Sequence, residues 1–72
     1  MKPTKALEGR DIIIELNQVG SVVRATAVDV KTMTEAHIQG PASSPQSVLQ
    51  GNAMRKLEYV LRKKGVIELS LI

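Results

Sequence analysis

From Ile12 onward the chain alternates, with Ile12, Ile14 and Leu16 on one side of an extended segment and Ile13, Glu15 and Asn17 on the other. A period of two predicts a strand over "RDIIIELNQ". "VGS" breaks it, and "VVRATAVDVK" and "TEAHIQ" read as a second and a third β-rich run. "GPASSP" ends the β-rich half with Gly40, Pro41 and Pro45. The period then changes to that of a helix. At 100° per residue Leu49, Ala53, Met54, Leu57, Val60 and Leu61 fall within an arc of roughly 140°, a core-facing stripe. Ser44 is placed to cap this helix, Pro45 to open it and Gly65 to close it. Residues 1–9 show no period and read as a flexible arm. In residues 65–72, "VIELSLI" sets Ile67, Leu69 and Leu71 on one side, a short C-terminal strand or an apolar tail.

A two-residue loop at the "VG" break, either Gly20-Ser21 or Val19-Gly20, fixes which residues share a face. Either choice puts Ile12, Ile14, Leu16, Val23, Ala25 and Ala27 together. A loop of about four residues around Thr32 and Met33 adds Ala36 and Ile38. The fold expected is α+β: a three-stranded antiparallel meander over residues 10–64, with one long helix across the Ile12/Ile14/Ala25/Ala27/Ile38 face. The other face is mixed, carrying Ile13, Glu15, Asn17, Val22, Arg24, Thr26, Val28, Val30 and His37, with Glu15 placed to pair with Arg24. Four branched aliphatics there exceed what a solvated face requires. Ile13, Val22, Val28 and Val30, with Ile67, Leu69 and Leu71, are the candidate oligomer interface.

Size sharpens that expectation. A chain of 72 residues forms one small core and buries only about 60% of its unfolded surface. It holds no cysteine and one histidine, so neither disulfides nor a thiolate metal site support it. Association into a homodimer is the remaining means of stabilisation. No apolar run is long enough to span a membrane, and "MKPTKALEGRD" has no signal-peptide core, so a cytoplasmic location is expected.

The net charge of +3 belongs to one segment. "RKLEYVLRKK" holds five of the ten basic residues and one acid, and the only aromatic, Tyr59. Arg55, Lys56, Tyr59, Arg62 and Lys63 are therefore candidates for contacting a nucleic acid, the alternative to a protein-interaction role. Glu58 lies one turn from both Arg55 and Arg62, so a solvated helix laced with ion pairs is the simpler reading. The β-β-β-α order matches the double-stranded-RNA-binding domain in topology only. That domain puts its lysines at the start of the helix, where this chain has the uncharged "SSPQS". His37 with Glu35 lacks the further partners a metal or catalytic centre requires, and the loop before the helix lacks the glycine spacing and lysine of a phosphate loop. A non-enzymatic interaction module without a cofactor is the expectation.

"VG", "GPA" and then "NAMRKLEYVL" resemble a family of small uncharacterised bacterial proteins with a β-rich half and a helix of the form N-A-x-R-K-L-E-Y-V-L. The resemblance covers roughly residues 10–64, through Val19, Gly20, Gly40, Pro41, Ala42 and Asn52 to Leu61. It implies the same β-β-β-α layout and carries no established activity.

Overall fold

The computed structural model describes residues 5–67. Three strands, β1 (Ile12–Val19), β2 (Val22–Asp29) and β3 (Thr34–Pro41), form an antiparallel sheet in the order β1-β2-β3, and one helix, α1 (Gln46–Lys63), follows. The fold is the expected β-β-β-α arrangement. Val19 pairs with Val22, so the first loop is Gly20-Ser21. Gly20 has φ +62° and Ser21 has no positive φ, the type II′ pattern that matches strand twist. Asp29 pairs with Thr34, leaving the four-residue loop 30–33 with Met33 at φ +56°.

This register builds the inner face in rows: Ile12–Asp29–Thr34, Ile14–Ala27–Ala36, Leu16–Ala25–Ile38 and Gln18–Val23–Gly40. Large side chains stand on β1, and small ones fill most of β2 and β3. The helix settles into that trough. It packs chiefly on β2 and β3, burying Leu49, Ala53, Met54, Leu57 and Leu61 against Val23, Ala25, Ala27 and Ala36. The helix lies on the expected face, and Ile12, Ile14 and Leu16 pack against the core as a ridge beside it and stay half-buried. Gly40 has a steric role here. A Cβ built on it would lie 2.6 Å from Leu49 Cδ2, closer than packing permits.

Three termini of elements differ from or refine the expectation. The arm 1–9 ends in a 3-10 turn, Lys5–Leu7, and Leu7 is fully buried in the core, so the described part of it is anchored by apolar burial. Ser44 makes no capping hydrogen bond; Pro45 is the boundary residue, and its carbonyl accepts from the amides of Val48 and Leu49. At the other end Gly65, at φ +75°, donates to Arg62 O and Val66 donates to Leu61 O. That paired arrangement satisfies the last carbonyls as a glycine C-cap does. Ile67 packs against the core of its own chain, while Leu69 and Leu71 lie outside the described residues.

Candidate functional site

Two bonds fix the phase of the ladders. Val30 N–H donates to Asp11 O at 3.1 Å, and Ala42 N–H donates to Ser21 O at 2.8 Å. Bonding alternates along an antiparallel strand, so the outward-facing backbone groups belong to Ile12, Ile14, Leu16 and Gln18 on β1. On β3 they belong to Glu35, His37, Gln39 and Pro41.

At the β3 edge Lys56 Nζ donates to one outward group, His37 O, at 2.8 Å. Lys64 Nζ reaches the inner-face side chain of Thr34, at Oγ1, at 3.4 Å. Pro41 has no N–H to present, which is the position a sheet edge tolerates. Lysines and proline on an edge strand discourage further pairing. The β1 edge has neither, and among the described residues no side chain bonds to its outward groups.

The basic candidates of the helix are thus separated in role. Lys56 serves the sheet edge. Arg62 forms an ion pair with Glu58 at 2.6 Å, and Arg55 Nη1 donates to Asn52 Oδ1 at 3.3 Å rather than sharing Glu58. Lys63 Nζ lies 5.6 Å from the centroid of the Tyr59 ring, within cation–π range.

The outer sheet face gathers the other candidates. On the sheet itself Ile13 is 52% exposed, Val22 43% exposed and Val28 half-buried, while Val30, 40% exposed, lies just beyond β2 at the start of the loop 30–33. Ile67 packs on the helix side and does not join them. Between the apolar rows Ile13–Val28 and Val19–Val22–Pro41 runs a polar band, Glu15–Thr26–His37 and Asn17–Arg24–Gln39. Glu15 is diagonal to Arg24, not opposite it, and the expected ion pair does not form. His37 Nδ1 and Thr26 Oγ1 are 2.9 Å apart, and His37 Nε2 lies 3.7 Å from Glu35. No group of three acidic, His or Cys side chains able to hold a metal occurs among the described residues.

One polar cluster was missed by the sequence reading. Arg10 grips Asp29 with two bonds, Nε to Oδ1 at 3.0 Å and Nη2 to Oδ2 at 3.1 Å. Thr32 donates to the same carboxylate from Oγ1 at 2.6 Å and from its amide at 3.3 Å. Asp29 is fully buried, and the hydrogen bonds from Arg10 hold it ionised below the usual aspartate range, against the opposing effect of burial. The cluster ties the lead into β1 to the end of β2. An Arg and an Asp 19 residues apart carry no periodic signal; only the register of the hairpin brings them together.

No helix among the described residues is long and apolar enough to cross a membrane. A family model described as "Domain of unknown function (DUF6898)" matches residues 9–64, which is 56 of the 72 residues. No curated protein and no solved structure matches the chain.

Proposed function

The chain belongs to the DUF6898 family, a domain of unknown function, and from its geometry we propose that it is a small non-enzymatic interaction module. The observation that carries this reading is the outer sheet face, where Ile13 and Val22 are exposed, with Val30 in the loop at its end, although the helix occupies the opposite side. Apolar groups left open in rows around a polar band fit a contact surface for a protein chain, another protein or a copy of itself. The alternative, a helix that binds nucleic acid, draws less support. Lys56, Arg62 and Lys63 are each engaged within the chain, and no aromatic platform accompanies Tyr59.

Two measurements test the reading. Proteins retained by the immobilised chain from its native lysate should be lost on Ile13→Lys or Val28→Lys with the fold intact by circular dichroism. Retention unchanged by both would remove the outer face from the function. In parallel, the chain is titrated against DNA and RNA at two salt concentrations. Micromolar binding with a steep salt slope, abolished by Lys56→Ala with Lys63→Ala, would favour the nucleic-acid reading instead.

A further inference from the structure

The β1 edge is a separate surface from the outer face. We propose that β1 is a strand-pairing site and that its occupant is β1 of a second copy of this chain, antiparallel across a two-fold axis at Leu16. The result is one continuous six-stranded sheet with both helices on the same side. This goes beyond the interaction reading and draws on the outer face only for the match of Ile13 with Val19.

Two observations point to this edge. The outward groups of Ile12, Ile14, Leu16 and Gln18 meet no side chain among the described residues, whereas on β3 Lys56 takes the carbonyl of His37 and Pro41 lacks an amide. The inner side chains of the same strand are also incompletely covered, because the helix lies over β2 and β3. A groove of about 190 Å³ opens beside them, with Leu16, Gln18, Val23 and Leu49 among its walls. An added strand supplies both backbone partners and apolar cover.

The register available to β1 selects a second copy. Outward residues must meet outward residues, so even-numbered positions pair with even-numbered ones, and a two-fold axis that pairs five or more strand residues falls at Ile14, Glu15, Leu16 or Asn17. An axis at Asn17 sets Glu15 against Val19 and pairs only Glu15 to Val19 of the strand. An axis at Glu15 sets the strand's only charged residue against itself. An axis at Ile14 sets Ile13 against that carboxylate and pairs only as far as Asn17, opposite Asp11. With the axis at Leu16, Leu16 meets Leu16, Ile14 meets Gln18, Glu15 meets the Asn17 amide and Ile13 meets Val19. The last match joins two exposed aliphatics, 52% and 74% open. It also sets the partner's Ile14 beside Gln18, at the mouth of the groove. The strand is its own complement in that register alone.

The test is sedimentation of the full chain with amide exchange followed by NMR at low and high protein concentration. The expected result is a dimer in which the amides of Ile14, Leu16 and Gln18 gain protection as concentration rises, while those of His37 and Gln39 do not. Gln18→Pro removes one outward N–H per copy without touching the β1–β2 ladder and should weaken the dimer by roughly tenfold or more. A monomer at every concentration overturns the proposal. So does protection of β1 that is equal at both concentrations, which would mean that another part of the same chain fills the edge. Dimerisation abolished by Val28→Lys but indifferent to Gln18→Pro would overturn it while leaving the outer-face reading intact. If Gln18→Pro does not fold, the exchange data on the unaltered chain decide the matter alone.

Discussion

Along β3 the outward carbonyl of His37 is taken by Lys56 and Pro41 has no amide to offer, whereas along β1 the outward groups of four residues meet no side chain among the described residues. The two strands are equal in length and flank the same central strand, so the difference comes from where the helix lies. Alanines on β2 and β3 draw the helix to that side, and its lysine stems then reach the β3 edge. Protection of one edge and exposure of the other are thus one consequence of side-chain size on the inner face.

The sharpest way to break this comparison is a matched pair of truncations. Leu57→Ala, beneath the helix, should cost about 2–5 kcal/mol, enough to unfold so small a domain. Ile14→Ala, on the half-covered ridge, should cost about 1–2 kcal/mol by denaturant titration of dilute protein. Equal losses would mean that β1 is covered as well as β3. Next in size is Gly40→Ala, which forces its Cβ against Leu49 and should destabilise by about 1–3 kcal/mol, read from the urea midpoint.

Acid should act on the β1 side. Asp29 has its pKa lowered in the folded state, so its stabilising effect is fully present above the ordinary aspartate value, about 3.9, and is lost as pH falls from there through the lower folded-state pKa. Since Arg10 leads into β1, amide exchange in β1 should accelerate below pH 4 before exchange in β3 does. Asp29→Asn should flatten the difference. The smallest change in stability belongs to Lys56→Ala combined with Pro41→Ala, each within about 0.5 kcal/mol. Their effect on assembly is large in kind. A chain with two open edges can pair at both, and light scattering should show species larger than a dimer.

Much of the fold was legible in the sequence because face assignment depends only on parity, and either candidate loop at Gly20 preserves it. The helix stripe was readable for the same reason, with Leu49, Ala53, Met54, Leu57 and Leu61 all buried. What escaped was relative position. No periodicity states which strands a helix will lie over, and the trough left by Ala25, Ala27, Ala36 and Gly40 appears only once the three strands stand side by side. The "GPA" motif shows this well. Gly40 makes room for Leu49, Pro41 closes an edge and Ala42 extends the ladder by donating to Ser21. The basic stripe was likewise visible as charge, but its service to the sheet edge was not.

Because each strand pairs only with its neighbour in sequence, the sheet closes through loops of two and four residues. Little chain entropy is lost before those contacts form, so the kinetic barrier to the native state is low. Folding on the millisecond scale or faster would finish well before two chains meet at micromolar concentration. Self-assembly would then join finished subunits, leaving newly made chains little time to exchange strands.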